Sequence, residues 1–216
     1  MSDVICVTNR WLCREDFLTR IERIAAARPY RVILREKDLD EAAYAALAEA
    51  VHTVCERYQV PLALNGHPVL AARMELPVQL GFAAAEAMQA AKGTGASDGK
   101  APAAFGVSVH SAAEAAALRE SGASWMIAGH IWETDCKIGL PGRGAAFLHA
   151  VVHAAGNIPV YAIGGVTPER MPAVRKTGAA GTCVMSALMT CADPAAYLAA
   201  FAGTSPQCCA HTTESF

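Results

Sequence analysis

Two patterns of apolar and polar residues alternate along this chain, one typical of strands and one typical of helices. Short runs rich in apolar and β-branched residues are separated by Ala-rich stretches in which apolar residues recur at helical spacing. The predicted strands are Val4–Asn9, Arg31–Lys37, Pro61–Gly66, Val78–Phe82, Phe105–Ser111, Trp125–Trp132, Ile158–Val166 and Gly181–Leu188. The predicted helices are Arg14–Ala27, Asp40–Tyr58, Ala83–Lys92, Ala112–Ser121, Ala145–Ala155, Pro168–Lys176 and Pro194–Ala202, with a segment of about two turns at Pro68–Glu75.

This alternation predicts one α/β domain. Strands that alternate with helices become parallel and are buried on both faces, and eight such units suit a single closed (β/α)8 TIM barrel. The alternative is an open doubly wound sheet, but Val7-Thr8-Asn9-Arg10 stands where a GxGxxG motif would follow the first strand. We expect the barrel to span residues 1–203, with a flexible surface insertion near residues 93–103 and a disordered tail at residues 204–216.

Residues suited to helix ends mark several of the predicted boundaries. Ser111 followed by Glu114 has the spacing of a capping box, in which the two residues cap each other's backbone N–H groups. Asp193 stands before a proline at a first helical position, and Gly122 and Gly178 lie where helices should stop.

Composition and charge exclude several classes of protein. With 53% hydrophobic and 18% charged residues the chain can build a substantial core, so global disorder is excluded. A net charge of -2 without a basic cluster argues against a nucleic-acid partner. Neither a membrane-spanning run nor a signal peptide is apparent, and eight scattered cysteines fit free thiols in a reducing cytoplasm.

The carboxyl ends of the strands are where a parallel barrel places its chemistry. Arg35 and Lys37 are expected to point to the same side of the second strand, which suits an anionic substrate or, equally, a solvated strand end. Asn65 ends the third strand and can donate and accept hydrogen bonds, although a structural turn is the favoured interpretation. On the fifth strand Ser108 and His110 share a face, and His110 is interpreted as a structural histidine rather than a catalyst.

The strongest candidate for catalysis follows the sixth predicted strand. His130 precedes a long Gly-rich loop that extends to Gly144 and is a candidate lid. Histidine is the side chain that changes its charge nearest neutral pH, so His130 is suited to proton transfer. Cys136 has no clear base partner, which argues against a catalytic thiol. His130 could bind a metal with Glu133 or Asp135, but no second histidine lies at ligand spacing, so neither a metal nor a cofactor is predicted.

The last two strand ends predict an anion site. Gly164 and Gly165 follow the seventh strand, and Ser186 follows the eighth. Loops at these places in a barrel commonly bind phosphate through backbone N–H groups. A tight turn is the alternative, and the eight-unit pattern favours phosphate.

At these positions the chain resembles the thiamine phosphate synthase-like barrels. The residues concerned are Leu34-Arg35-Glu36-Lys37, Gly106-Val107-Ser108-Val109-His110-Ser111, Ile163-Gly164-Gly165-Val166 and Val184-Met185-Ser186. Within that superfamily it is similar to the TenI-type thiazole tautomerases, through Leu64-Asn65-Gly66, the specific stretch from Gly129 to Lys137, and Gly139-Leu140-Pro141-Gly142-Arg143-Gly144. The resemblance covers nearly all of residues 4–202, apart from the insertion.

Two departures separate this chain from the synthases of the superfamily. Synthases normally have an aspartate directly after the asparagine of the third strand, where this chain has Gly66. They also have His-Leu-Gly-Gln and a following aspartate near the fourth strand, where this chain has Gln79-Leu80-Gly81-Phe82. Those acids hold the Mg²⁺ that neutralises a pyrophosphate leaving group. The resemblance therefore implies that diphosphate chemistry is lost and a thiazole-phosphate site is kept.

The activity that the resemblance implies is a thiazole tautomerase of thiamine biosynthesis. It would convert a carboxylated dihydrothiazolylidene ethyl phosphate to the aromatic carboxythiazole ethyl phosphate by moving one proton, with His130 as the catalytic residue. The substrate-binding residues implied are Gly164, Gly165 and Ser186 for the phosphate, and Arg35, Lys37, Asn65, Ser108, Thr134 and Lys137 for the rest of the substrate.

Three alternatives stay open: a thiamine phosphate synthase with magnesium ligands from elsewhere, a non-catalytic regulatory barrel, and a different phosphate-binding isomerase. We expect a cytoplasmic homo-oligomer whose partner is the small thiazole phosphate.

Overall fold

Eight parallel strands pair in sequence order and close into a barrel, and β1 pairs with both β2 and β8. The computed structural model describes residues 3–93, 101–134, 137 and 139–203. The strands are β1 (Val4–Val7), β2 (Arg31–Leu34), β3 (Leu62–Asn65), β4 (Val78–Gly81), β5 (Phe105–Val109), β6 (Trp125–Gly129), β7 (Val160–Ile163) and β8 (Gly181–Val184). The predicted (β/α)8 TIM barrel is confirmed.

Helices alternate with these strands as the sequence pattern predicts. They are α1 (Phe17–Ala26), α2 (Glu41–Arg57), α3 (Pro68–Arg73), α4 (Phe82–Gly93), α5 (Ala112–Ala117), α6 (Gly144–Ala155), α7 (Met171–Lys176), α8 (Ser186–Thr190) and α9 (Pro194–Ala202). The predicted tail at residues 204–216 and most of the predicted insertion lie outside the described residues, as do Asp135 and Cys136. Within residues 3–93, 101–134 and 139–203, no helix is both long and apolar enough to cross a membrane.

The core has two layers because side chains alternate along each strand. On β1, Val4 and Cys6 belong to the larger apolar layer between the strands and the helices, whereas Ile5 and Val7 belong to a smaller layer inside the barrel. Near the amino-terminal ends of the strands, Trp125 is 2% exposed and the Arg31 guanidinium lies 3.8 Å from its ring centroid. Burial lowers the pKa of Arg31. These side chains fill one end of the barrel interior and leave space at the other.

All eight strands end earlier than predicted, and the differences at the second and the eighth change the setting of candidate site residues. The second ends at Leu34, so Lys37 lies in a turn rather than in a strand. The eighth ends at Val184, and α8 occupies the residues that were predicted to continue it. Leu188 in α8 is buried, and a short run of buried apolar residues does not distinguish a strand from a helix.

Two of the predicted caps are present, one with a difference in detail. The Asp193 carboxylate accepts hydrogen bonds from the first turn of α9. The Ser111 hydroxyl accepts the Glu114 N–H at 3.0 Å. Glu114 accepts the N–H of His110 at 2.7 Å, one residue before the partner that a capping box would use. The end of β5 is thereby attached to the start of α5.

Candidate active site

A cavity of about 590 Å³ opens at the carboxyl ends of the strands. All eight strands or the loops that follow them contribute to its lining, and Ile33 and Ile127 contribute apolar surface from inside the barrel. The polar and glycine residues predicted to bind substrate meet here, namely Arg35, Asn65, Ser108, His130, Thr134, Lys137, Gly164, Gly165 and Ser186. His110, Gln79 and Arg143 line the same space.

Lys37 is the predicted site residue that the structure does not bring to the cavity. It is exposed in the turn after β2 and does not belong to the lining. The reason lies in Glu36, which is 3% exposed and accepts hydrogen bonds from the Thr8 hydroxyl at 2.7 Å and the Arg10 N–H at 3.1 Å. This attachment ends the strand geometry before Lys37, so Arg35 and Lys37 do not share a strand face.

The same contacts hold Arg35 in place. Its backbone N–H donates to the Thr8 hydroxyl at 2.9 Å, and that hydroxyl donates to Glu36. Because Thr8 follows β1 and Glu36 follows β2, this short chain of hydrogen bonds connects the ends of two neighbouring strands. The backbone at Arg35 is therefore held in place, and the residue lines the cavity.

Asn65 is positioned by a tyrosine of α2. The Tyr44 hydroxyl donates to the Leu34 carbonyl at 2.6 Å and accepts the Asn65 N–H at 3.1 Å, so one buried side chain connects the ends of β2 and β3. The Tyr44 ring stacks on His67 with centroids 3.8 Å apart. Burial raises the pKa of Tyr44 and lowers that of His67, so both favour their neutral forms.

His130 follows β6 directly, through a cis peptide bond from Gly129. Its ring Nε2 lies 3.3 Å from the Leu140 carbonyl oxygen in the loop that returns towards α6. A carbonyl only accepts, so a hydrogen bond here places the hydrogen of a neutral imidazole on Nε2 and leaves Nδ1 as the basic nitrogen. The ring is half-buried and lines the cavity.

Gly164 and Gly165 have a packing role that the sequence did not indicate. Their φ angles are +92° and +64°, and a Cβ on Gly164 would lie 2.4 Å from the Cβ of His130. A Cβ on Gly165 would lie 2.5 Å from the Glu133 carbonyl oxygen. The loop after β7 can therefore lie against the loop after β6 only because both residues lack side chains.

Arg143 is a site residue that was quoted in a motif but not predicted to bind substrate. Its guanidinium donates to the His110 carbonyl and its backbone N–H donates to the His130 carbonyl, the latter at 3.2 Å. The guanidinium also lies 4.8 Å from the Phe147 ring centroid. His110 Nδ1 lies 3.3 Å from the Gly129 carbonyl. The signal that could have identified Arg143 is its place between two glycines just before α6.

The electrostatics of the cavity favour an anion. Arg35, Lys137 and Arg143 line it, and no aspartate or glutamate does so among the residues that the structure describes. Over the same part of the chain, no cluster of three or more His, Cys, Asp or Glu side chains could hold a metal ion. Cys183 also lines the cavity, but burial raises the pKa of its thiol, so it is a poor nucleophile at neutral pH.

Comparison with known proteins places this chain in a family. Residues 4–188 match the family described as thiamine monophosphate synthase. This chain belongs to the thiamine monophosphate synthase family. A thiamine-phosphate synthase of Thermus thermophilus is 32% identical over 184 residues, which cover 83% of this chain and 84% of that protein. A relative in Streptococcus pneumoniae, named thiamine-phosphate synthase 2, is 31% identical over 90% of this chain and 91% of its own length.

Membership of the thiamine monophosphate synthase family indicates an enzyme of thiamine biosynthesis. A solved structure, that of thiamine phosphate pyrophosphorylase from Pyrococcus furiosus, has a TM-score of 0.75 and 22% identity to this chain, and the match covers 92% of this chain and 93% of that one. At this identity the likeness shows the fold alone. The names of the relatives match a synthase more closely than the tautomerase that the sequence resemblance implied.

Proposed function

We propose that this protein is a thiazole tautomerase, which converts a carboxylated dihydrothiazolylidene ethyl phosphate to the aromatic carboxythiazole ethyl phosphate. The observation that supports this best is the lining of the cavity. It combines His130 with three cationic side chains, and the described lining residues include no carboxylate. A substrate with both a phosphate and a carboxylate matches such a lining, because each anion can pair with a cation or a hydrogen-bond donor.

The phosphate is assigned to the loops after β7 and β8. Gly164, Gly165 and Ser186 line that side of the cavity, and both glycines have positive φ angles, the kind of turn in which successive backbone N–H groups form an anion-binding nest. Arg35, Asn65, Thr134 and Lys137 line the cavity around the remaining space and are assigned to the carboxylate and ring. Lys37, which lies outside the cavity, is not included.

His130 performs the proton shift in this proposal. Its basic nitrogen removes the proton from ring carbon 2, and the resulting imidazolium returns a proton to the exocyclic carbon. Formation of the aromatic ring drives the reaction, so the enzyme needs an acid–base group and fixed anion anchors. General acid–base assistance of this kind contributes roughly 10²–10⁴-fold in rate. The Leu140 carbonyl, 3.3 Å from Nε2, stabilises the imidazolium and keeps the ring oriented.

A thiamine phosphate synthase is the second candidate, because the relatives at 31–32% identity have that name. Its reaction needs Mg²⁺ to neutralise a diphosphate, and Mg²⁺ is held by carboxylate oxygens. Gly66 stands where the resemblance places one such acid, and Phe82 where it places the glutamine that precedes the other. The described lining residues include no carboxylate. The described lining of the cavity therefore does not fit the ion, and we derive no step through it.

One experiment separates the two candidates. The purified protein is offered the dihydrothiazole phosphate alone, and separately a pyrimidine diphosphate with thiazole phosphate and Mg²⁺. We expect the ultraviolet absorbance of the aromatic ring to rise in the first reaction, and no thiamine phosphate above the enzyme-free control in the second. Thiamine phosphate formation without ring aromatisation would establish the synthase instead.

A further inference from the structure

A buried glutamine connects the interior of the barrel to the floor of the cavity. Gln79 lies on β4 and is 2% exposed. Its amide oxygen accepts the indole N–H of Trp125 at 2.6 Å, and its amide nitrogen lies 3.0 Å from the Ser108 hydroxyl. The same nitrogen lies 3.4 Å from the Leu80 carbonyl, so the whole amide group is engaged.

The register of three neighbouring strands makes this contact possible. Gln79 on β4 is level with Gly106 on β5, which in turn is level with Trp125 on β6. The Trp125 indole therefore crosses the intervening strand to reach Gln79. A Cβ on Gly106 would lie 2.0 Å from the indole, so glycine is required there.

The indole of Trp125 determines the direction of the hydrogen bonds that run from Trp125 through Gln79 to Ser108. An indole N–H can only donate, so the amide oxygen of Gln79 must face Trp125 and the amide NH₂ must face Ser108. The Ser108 hydroxyl then accepts from Gln79 and keeps its own proton for another partner. Ser108 lines the cavity, and its hydroxyl makes no other hydrogen bond to the part of the chain that the structure describes.

We propose that Gln79, held by Trp125, is a positioning residue that commits Ser108 to donate its hydroxyl proton to an acceptor atom of the bound thiazole phosphate. This inference takes the ligand from the function proposed above. Removal of the proton from ring carbon 2 places negative charge on the attached carboxylate, whose oxygens are acceptors throughout the reaction. A donor whose direction is set before binding stabilises that charge without reorienting.

The inference is tested by measuring the calorimetric affinity of carboxythiazole phosphate and thiazole phosphate. Ser108→Ala removes the donor, and we expect about tenfold weaker binding, the effect of one lost hydrogen bond. Ser108→Thr keeps the hydroxyl and should bind nearly as the wild type. Gln79→Glu places a carboxylate beside Ser108 that accepts its proton, so binding should weaken about as much as in Ser108→Ala.

The combination of the two changes distinguishes positioning from independent roles. If Gln79 acts through Ser108, adding Ser108→Ala to Gln79→Glu causes no further loss, because the donor is already gone. If Gln79→Glu does not fold, Gln79→Leu is combined with Ser108→Ala instead. We expect Gln79→Leu to lower the melting temperature, because the Trp125 indole loses its partner. It should not weaken binding any further when it is added to Ser108→Ala.

Three results would overturn the inference. They are wild-type affinity in Ser108→Ala, an equal loss of affinity in Ser108→Thr and Ser108→Ala, or a double variant whose loss of affinity is the sum of the losses in the two single variants. A wild-type protein that binds neither compound would contradict the proposed function as well. Binding that does not depend on Ser108 would contradict the positioning role alone.

Discussion

Two histidines at the mouth of the barrel compete for the role of proton carrier. His130 and His110 both line the cavity, and each has one ring nitrogen 3.3 Å from a carbonyl oxygen. His110 is exposed, whereas His130 is half-buried and lies against the Gly-Gly turn assigned to the phosphate. These surroundings favour His130 for the chemistry and His110 for attachment of the β5 end.

The comparison of His130→Asn with His110→Asn tests this assignment. Asparagine keeps a similar size and a hydrogen-bonding group but does not transfer a proton at neutral pH. We expect turnover in His130→Asn to fall by about 10²-fold or more, with a nearly unchanged melting temperature. Turnover is measured as the rate of aromatic ring formation. Normal turnover in His130→Asn together with loss in His110→Asn would move the role to β5.

Glu36 is a buried charge that supports the site without reaching it. Besides Thr8 and the Arg10 N–H, its carboxylate contacts the Arg10 guanidinium at 3.3 Å. Replacing a charged acceptor at a buried site removes several charge-assisted hydrogen bonds together. We expect Glu36→Gln to lower the free energy of unfolding by about 2–3 kcal/mol, measured in urea.

Asp38 provides the matched control for Glu36. Its carboxylate pairs with the same arginine, but at the protein surface. Exposed ion pairs contribute little to stability, so Asp38→Asn should leave the unfolding midpoint almost unchanged. An equal loss of unfolding free energy in the two variants would show that the contribution of Glu36 to stability does not come from its burial.

At the scale of elements, glycines allow strands and loops to approach each other closely, and Gly106 and Gly164 each lead to a prediction. Gly106 lets Trp125 cross from β6 to β4, and a Cβ there would lie 2.0 Å from the indole. We expect Gly106→Ala to cost about 1–3 kcal/mol of unfolding free energy, as overpacked core positions do. Gly81→Ala on β4 is the control, because a Cβ there meets nothing within 4 Å. Equal stability of the two variants would contradict the crossing geometry.

The contact between the loops after β6 and β7 gives a second prediction at this scale. Gly164 and Gly122 both have positive φ, +92° and +78°, so alanine strains the backbone at either position. Only at Gly164 would the new Cβ also collide with His130. We expect both variants to lose stability and only Gly164→Ala to lose most of its turnover. Similar turnover in the two would show that the loops are not coupled.

At the scale of the whole molecule, three cations around one cavity make ligand binding a source of stability. A ligand at about 100 times its dissociation constant stabilises the folded state by about 2.7 kcal/mol. We expect carboxythiazole phosphate to raise the melting temperature, and added salt to reduce that rise. Measurement of the melting temperature over a range of ligand and salt concentrations tests this.

Two lysines show whether the effect comes from the cavity. Lys137 lines it, whereas Lys37 lies in the turn outside it. We expect Lys137→Ala to weaken binding about threefold to tenfold and Lys37→Ala to leave it unchanged. Equal losses of affinity would indicate that net charge, rather than position, attracts the ligand.

The expected homo-oligomer stays a prediction. Sedimentation would measure the oligomeric state.

The fold was accessible from the sequence because the period of apolar residues is a local property. Eight buried runs alternating with helical stretches have few arrangements that cover every strand on both sides, and the closed barrel is one of them. The polar residues at strand ends then meet by topology alone, which is why Arg35, Ser108 and His130 were placed together correctly. Capping residues such as Asp193 are equally local.

Tertiary structure decided what depends on contacts between distant segments. The burial of Glu36 against Thr8 ended β2 early and left Lys37 outside, although strand periodicity placed it beside Arg35. The return of the loop before α6 brought Arg143 to His110. Strand register and Gly106 brought Trp125 to Gln79, and so determined the direction of the Ser108 hydrogen bond. Side-chain alternation predicts which way a residue points, but which group it meets depends on register and loop path, and these are determined only when the barrel closes.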